Sequence, residues 1–328
     1  MTKIKRRSIL KLSVFSALGS LSCGVLAGGS WPSRPVRLVL PYPPGGATDR
    51  LARVFASELE DELKQRVIVE NRAGATGAVG SAAVAKSPPD GYSLLTGFLG
   101  SMVVQPLLNS SLPYDSQKDF TPIARLVTYD FLLVASPDFA ANNLDELTSI
   151  TRSGEKKFSY GTTGIGSPGH LAMANYSSKS GAQLQDVPYQ GEQPMVLDLL
   201  GGHLELGMLT VNVAEPLLKA GKIKAIAVAS ENRAGRMPEV PTFRESGFPG
   251  SSVQTWAGIL GPSNLPEPIV ERLNAGIEAV LKRAKLQDEL MEIGFSPDYL
   301  DAAEFSRLIE SERSRYRDLI EIAGIKVE

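Results

Sequence analysis

Strand-like and helix-like patterns alternate along most of this 328-residue chain. The first pair is the clearest, because an apolar run at residues 36–40 precedes Leu51, Phe55 and Leu59 at the spacing of one helix face. Further strand patterns occur near residues 66–70, 92–96, 158–160, 186–189, 204–209 and 223–229. Repeated strand–helix units predict an α/β protein in which each sheet is mostly parallel and flanked by helices.

Two segments have the length and apolar character to cross between two sheets. Residues 120–134 contain two successive apolar runs, and residues 253–260 form a strand pattern after a loop-rich stretch. Two crossings predict two lobes, with domain 1 formed by residues 28–128 and 256–328 and domain 2 by residues 129–255. A hinge is expected where the chain crosses, near residues 127–131 and 254–258.

The C-terminal part of the chain reads as helical. Apolar residues lie on one helix face between residues 269 and 281. Asp301 and Glu304 have the spacing of a capping box, which predicts that the last helix begins between them.

The first 27 residues have the pattern of a signal peptide, which predicts export. A basic start is followed by mostly apolar and small residues from 9 to 26, and Ala27 offers a cleavage site. Arg6 and Arg7 resemble a twin-arginine signal, and an ordinary Sec signal is the equal alternative.

Composition excludes two classes of function. The single cysteine, Cys23, lies within the predicted signal, so the exported chain would carry neither a disulfide nor a reactive thiol. Loss of the signal would change the net charge from −2 to −7, and no Lys/Arg-rich run remains to bind nucleic acid. An anionic ligand would therefore be held by local dipoles rather than by the overall charge.

Glycine and hydroxyl residues are concentrated in two predicted strand-to-helix turns, residues 41–49 and 161–170. Glycine allows main-chain N–H groups to approach a ligand, and the first N–H groups of a helix favour an anion. In open α/β sheets, ligands bind beyond the carboxyl ends of the strands. The sequence thus predicts a clamp on a small anion, made by main-chain N–H groups with Thr48, Thr163 and Ser167.

Patterns for catalysis or metal binding are weak. The chain has two histidines, and His203 lies in a glycine turn where we expect a solvated side chain. Ser167 precedes His170 by three residues, but there is no G-x-S-x-G motif to expose the hydroxyl group. We expect no enzymatic activity, no cofactor and no metal. An exported hydrolase that uses Ser167 and His170 is one alternative, and a ligand sensor that docks a membrane receptor is another.

Seven blocks of this sequence resemble the Bug family of periplasmic solute-binding proteins, the substrate-binding component of tripartite tricarboxylate transporters. In order, the blocks are residues 41–49 (PYPPGGATD), 69–77 (VENRAGATG), 89–95 (PDGYSLL), 160–164 (YGTTG), 188–191 (PYQG), 221–228 (GKIKAIAV) and 238–243 (PEVPTF). The resemblance covers essentially the whole chain after the signal.

The resemblance implies a two-lobed type II periplasmic-binding-protein fold and a periplasmic location. It implies a monomer that captures a small organic carboxylate for uptake and delivers it to membrane subunits of a tripartite tricarboxylate transporter. The ligand-binding residues that it implies are Tyr42, Gly46, Ala47, Thr48, Asp49, Ser101, Thr163, Gly166, Ser167, His170, Tyr189 and Gly191.

One departure from the family pattern concerns the ligand. Family members often carry an acid or amide at the end of the strand that finishes here at Thr210, and its absence disfavours an amino-acid ligand. The sequence also predicts a role for each of three side chains. Asp49 should support its loop, Trp256 should belong to the core, and protonated His170 would add positive charge to a carboxylate site.

Overall fold

The computed structural model describes residues 31–152 and 157–325. The predictions for residues 1–27, including the signal peptide and its export route, lie outside the described residues. Within the described part of the chain, no helix is both long enough and apolar enough to span a bilayer.

The strands and helices follow the alternation predicted from the sequence. The strands are β1 (Val36–Leu40), β2 (Val67–Asn71), β3 (Ser93–Phe98), β4 (Phe120–Tyr129), β5 (Phe131–Ala135), β6 (Phe158–Thr162), β7 (Leu184–Pro188), β8 (Leu206–Thr210), β9 (Lys224–Val228), β10 (Thr255–Pro262) and β11 (Ser296–Leu300). The helices are α1 (Ala47–Leu63), α2 (Ala78–Ala85), α3 (Gln105–Leu108), α4 (Leu144–Arg152), α5 (Pro168–Ser180), α6 (Glu192–Leu200), α7 (Val211–Lys219), α8 (Glu267–Leu281), α9 (Ala284–Glu292) and α10 (Ala302–Ile322). A 3₁₀ turn (Ala75–Gly77) precedes α2, and a π-helical turn (Gly100–Val104) precedes α3.

The described strands form two sheets. The first sheet has the strand order β11-β4-β10-β3-β1-β2, and the second has the order β7-β6-β8-β5-β9. The chain passes from the first sheet to the second between β4 and β5, where Asp130 alone separates the two strands. It returns between β9 and β10. The first passage falls in the predicted segment 120–134, whereas the return occupies the loop-rich stretch before Thr255 and ends at the start of the predicted segment 253–260.

Both sheets are mixed, but most described strands of each run in one direction, as expected, with β10 and β11 reversed in the first sheet and β5 reversed in the second. In the first sheet β1 is parallel to β2 and β3, but β10 runs antiparallel to β3 and β4, and β11 runs antiparallel to β4. In the second sheet β6 is parallel to β7 and β8, but β5 runs antiparallel to β8 and β9. The crossing from the first sheet explains why β5 is reversed. The chain enters the second sheet beside the C-terminal end of β8, so Phe131, the first residue of β5, pairs with Thr210, the last residue of β8.

The core beside the return passage confirms the interpretation of Trp256. This side chain is 2% exposed, and its ring packs edge-to-face against Phe305 of α10, with 5.0 Å between ring centroids. A Cβ atom added at Gly258 would lie 2.4 Å from Phe305 Cζ and 2.7 Å from the carbonyl oxygen of Ala124. The glycine therefore permits α10 to pack directly against β10.

In the C-terminal region, the predicted capping box is confirmed and a strand is found that the sequence pattern did not predict. Asp301 and Glu304 form the predicted capping box, with 2.8 Å between Glu304 N and Asp301 Oδ1. The expectation of a wholly helical C-terminal region missed β11, an edge strand that lacks a clear apolar alternation. Arg125 of β4 holds this strand through an ion pair of 2.5 Å with Asp298.

Candidate functional site

The first turn of the site joins β1 to the N-terminus of α1. Gly45 has a φ of +93°, a conformation that glycine adopts without strain. The carbonyl oxygen of Gly46 accepts a hydrogen bond from the amide of Asp49 at 3.1 Å. The amides of Ala47 and Thr48 lie ahead of this first helical bond, at the positive end of the α1 dipole. Such amides form a site for an anion.

Asp49 fixes the shape of this turn, as expected. Its side chain is 7% exposed, and Oδ2 accepts hydrogen bonds from the Gly45 amide at 3.1 Å and from Arg53 Nε at 2.9 Å. Oδ1 accepts a hydrogen bond of 2.8 Å from Asn71 Nδ2, which also donates to the carbonyl oxygen of Tyr42 at 3.1 Å. The hydrogen bond from Arg53 is the main reason why the pKa of Asp49 is lowered to about 2. The carboxylate is thus bound by donors from its own loop and its neighbours.

The second turn joins β6 to the N-terminus of α5. Ser167 caps the helix, because its Oγ accepts a hydrogen bond of 3.3 Å from the amide of His170. Gly164 and Gly166 have φ values of +121° and +76°. A Cβ atom at Gly166 would lie 2.3 Å from Leu108 Cδ1, so the glycine allows this turn to approach α3 closely.

His170 braces the second turn from behind. Its Nδ1 accepts a hydrogen bond of 3.1 Å from the Gly166 amide, and its Nε2 lies 4.0 Å from Asp186 Oδ2. Burial lowers the pKa of His170, and the negative charge of Asp186 opposes this effect. A neutral imidazole agrees with the hydrogen bond at Nδ1, because a protonated ring has no acceptor there.

The two turns line one cavity of about 600 Å³ between the sheets. An adjoining cavity of about 560 Å³ shares four of its lining residues, which are Thr48, Tyr129, Glu192 and Thr210. The predicted site residues that line the first cavity are Tyr42, Thr48, Thr163, Gly166, Ser167, Tyr189 and Gly191. Gly46 and Ala47 line the second. The structure therefore brings most of the predicted residues together around one cleft.

Three predicted site residues, Asp49, Ser101 and His170, are not among the described residues that line either cavity. Asp49 and His170 brace the two turns through the contacts described above. Ser101 is fully buried, and its hydroxyl group donates to the carbonyl oxygen of Phe98 at 3.2 Å. Its own carbonyl oxygen accepts a hydrogen bond from Tyr114. In this position Ser101 supports the wall behind the cleft.

Tyr42 and Tyr189 contribute aromatic surface to the cleft. Tyr42 packs edge-to-face against Phe98, with 5.0 Å between centroids, and burial raises its pKa to about 12. Tyr189 donates its hydroxyl proton to Asp198 Oδ2 at 2.8 Å, and burial together with this carboxylate raises its pKa to about 12. Both phenols are therefore neutral at physiological pH.

Sequence reasoning missed several residues of the crossing segments that line the cleft, among them Tyr129, Phe131 and Thr255. Tyr129 and Thr255 face each other where β4 ends and β10 begins, and Thr255 Oγ1 donates to the Tyr129 carbonyl oxygen at 2.6 Å. The signal for these residues was their place in the predicted crossings, since a cleft between two sheets must be lined by the segments that join them.

Glu192 is the most consequential residue that the sequence did not indicate. It is the first residue of α6, directly after Gly191, whose φ is +107°. Glu192 Oε2 accepts a hydrogen bond of 2.9 Å from Thr210 Oγ1, and Oε1 accepts one from the Thr210 amide. An acid therefore does lie at the end of β8, supplied by α6 rather than by the strand. The argument against an amino-acid ligand rested on the lack of such an acid, and that premise does not hold in the structure.

Ser167 and His170 do not have the geometry of a nucleophile and its base. The Ser167 hydroxyl oxygen accepts from the main-chain amide of His170, and the imidazole instead contacts the Gly166 amide and Asp186. A serine nucleophile needs its hydroxyl group within hydrogen-bond reach of the base. This geometry gives the hydrolase hypothesis no support. His203 is exposed in its turn, as expected.

Residues 51–325 match the profile of the tripartite tricarboxylate transporter family receptor. The chain belongs to this family. Its members are solute-binding receptors that work with tripartite transporters and bind small carboxylates. The resemblance noted in the sequence is therefore confirmed.

Solved structures of similar proteins support the two-sheet fold and the link to carboxylates. The periplasmic binding protein BugD is 32% identical, with a TM-score of 0.75 and coverage of 90% of this chain and 99% of BugD. R. palustris Rpa4515 with adipate is 32% identical, with a TM-score of 0.80 and coverage of 90% and 99%. MatC from Rhodopseudomonas palustris with bound malate is 31% identical, with a TM-score of 0.74 and coverage of 88% and 100%.

Proposed function

We propose that this receptor captures a small organic carboxylate in the cleft between its two sheets and holds one carboxylate group at the two strand-to-helix turns. The observation that carries this proposal is the placement of the N-termini of α1 and α5 on one cavity. No Lys or Arg is found among the described residues that line this cavity, although Arg50 lines the adjoining one. Main-chain amides and hydroxyl groups, including those of Thr48, Thr163 and Ser167, would donate hydrogen bonds that stabilise the negative charge of the ligand.

The energetics of such a clamp are favourable. Each hydrogen bond from an amide to a desolvated carboxylate contributes roughly 1.5–3 kcal/mol. The turns are also fixed before the ligand arrives, because Asp49 braces one and His170 braces the other. Less conformational entropy is then lost on binding.

We further propose that residues 28–128 and 256–328 move as one domain and residues 129–255 as the other, closing on the ligand. Two observations support a hinge near residues 127–131 and 254–258. Asp130 alone links β4 to β5, and a β-bulge interrupts the pairing of β10 with β4 between Ala257 and Gly258. Short connections that absorb changes in backbone torsion are typical hinges.

The remaining parts of the proposal concern export, oligomeric state and the transport role of the protein. A cleaved signal of residues 1–27 exports the chain to the periplasm by the twin-arginine or the Sec route. There it acts as a monomer without enzymatic activity and delivers its ligand to the membrane subunits of a tripartite tricarboxylate transporter. The family match supports this role. The Ser167 hydroxyl group bonds the His170 amide rather than its imidazole, which supports a binding rather than a hydrolytic function.

The first test is a thermal-shift screen of the purified protein, unfolded and refolded beforehand to remove any carried ligand. The panel would contain mono-, di- and tricarboxylates, aromatic acids and amino acids. A ligand at 100 times its Kd adds about 2.7 kcal/mol to the free energy of unfolding, which raises the melting midpoint measurably. A panel in which no carboxylate raises the midpoint would refute the carboxylate proposal.

A pair of variants then locates the site. Gly46 and Gly235 are both exposed, neither has a positive φ, and a Cβ atom at either meets no atom within 4 Å. Gly46→Leu should abolish binding of the carboxylate found in the screen, because Gly46 lines the cleft. Gly235→Leu should leave binding unchanged. Unchanged affinity in Gly46→Leu would remove the first turn from the site.

A further inference from the structure

One carboxyl side chain, that of Glu192, lines the 600 Å³ cavity. Among the described residues that line the 600 Å³ cavity, Glu192 is the only one with an ionisable carboxyl group, and none is Lys, Arg or His, whereas Arg50 and Glu292 line the adjoining cavity. A receptor for a simple dicarboxylate has no evident use for such a group. A carboxylate in the same cavity repels a second anionic group of the ligand, and the repulsion grows as water is excluded.

Glu192 is held in place by donors and not by a cation. The Thr210 amide and hydroxyl group each donate to one of its oxygens, and they are the only groups that favour its charged form in the described structure. A carboxylate offers about four lone-pair positions, so two acceptor positions remain after these bonds. Burial raises the pKa of Glu192, as expected for a carboxyl group without a cationic partner.

The position of Glu192 relates it to the anion-binding turns. It starts α6, opposite the end of β8, and it lines the same two cavities as Thr48 of the first turn. A ligand whose carboxylate lies at the turns therefore extends its other end through the space that Glu192 borders. A hydrogen-bond donor at that end would reach the free acceptor positions and compensate the partly buried charge.

We propose that Glu192 determines specificity by accepting a hydrogen bond from the far end of the ligand, so that this receptor prefers a monocarboxylate bearing an ammonium, amine or hydroxyl group over a dicarboxylate. This inference rests on the proposed carboxylate clamp and adds the chemistry of the second ligand group. It also separates this chain from the solved neighbours that hold adipate and malate.

The test measures affinities for matched probes by isothermal titration calorimetry on the refolded protein. The aliphatic probes are ω-amino acids, ω-hydroxy acids, diacids and unsubstituted monocarboxylates of four, five and six carbons. The aromatic probes are 4-aminobenzoate, 4-hydroxybenzoate, terephthalate and benzoate. In at least one matched set, the probe with a donor should bind at least tenfold more tightly than the diacid.

Two variants test whether Glu192 causes the preference for a donor-bearing ligand over a diacid. Glu192→Gln keeps the size of the side chain and can still bond Thr210, and it should reduce the preference for the donor over the diacid at least tenfold. Glu239→Gln is the control, because Glu239 is exposed and does not line the cleft. It should leave every affinity ratio unchanged.

The possible outcomes distinguish the role of Glu192 from the carboxylate clamp on which it depends. Equal or tighter binding of the diacids to the unaltered protein, or an unchanged ratio in Glu192→Gln, would overturn the role of Glu192 and leave the carboxylate clamp standing. Failure of every carboxylate probe to bind would overturn the clamp, and the inference would fall with it.

Discussion

Replacement of Asp49 by Asn tests whether the first turn is held by a buried charge. Every polar partner of this side chain is a donor, namely the Gly45 amide, Arg53 Nε and Asn71 Nδ2. An asparagine at this position would turn its own NH₂ group toward one of those donors. We therefore expect Asp49→Asn to lose the charge interaction and to leave at least one hydrogen bond unmade.

The size of the effect follows from the pKa of Asp49, which falls from 3.8 to about 2 on folding. A change of this size corresponds to roughly 2 kcal/mol in the free energy of unfolding. Because the side chain of Arg53 is 52% exposed and its charge is screened, we take about 1–2 kcal/mol as the expected loss. The stabilisation is fully present above the pKa of the unfolded chain, near 4, and is lost as the pH falls through about 2.

The assay is urea unfolding of the unaltered protein and Asp49→Asn at pH 7, pH 4 and pH 2.5. The difference between the two proteins should be largest at pH 7 and should shrink toward pH 2.5. Asp61→Asn, a change of an exposed acid on the same helix, should alter stability by less than about 0.5 kcal/mol. A difference for Asp49→Asn no larger than this control, or one independent of pH, would refute the reasoning.

Two further predictions concern the second turn and the core. The free energy of unfolding should fall between pH 7.5 and 5.5, because burial lowers the pKa of His170 and the unfolded chain binds its proton first. His170→Gln should flatten this dependence in urea titrations, and an unchanged slope would contradict the assignment. The raised pKa of Asp186 acts in the opposite sense at lower pH. Gly258→Ala should destabilise the fold by about 1–3 kcal/mol, since the added Cβ atom meets Phe305 and the Ala124 carbonyl oxygen. Gly235→Ala, at an open position, is its control in thermal melts.

Local patterns in the sequence were enough to locate most elements of the fold. The apolar run of β1 and the helical spacing of Leu51, Phe55 and Leu59 depend on residues a few positions apart, and so does the capping box of Asp301 and Glu304. The same holds for the glycine turns that begin α1 and α5. These features form through interactions within one turn or one strand, so the residues that specify them are adjacent in the chain.

The match of whole blocks to one family identified the type of protein and most of the cleft. It also named Asp49, Ser101 and His170 as ligand-binding residues, whereas the structure places each of them behind a turn or a wall. A motif marks residues that belong together near a site. It does not distinguish a side chain that faces the ligand from one that supports the loop.

Tertiary structure alone decided the direction of strand pairing, the edge strand β11 and the position of Glu192. Each depends on contacts between residues far apart in the chain, such as Phe131 with Thr210 and Glu192 with Thr210. Periodicity along the sequence reports which face of an element is buried but carries no information about which distant element covers it. The carboxyl group that we expect to select the ligand therefore became visible only once β8 and α6 lay side by side.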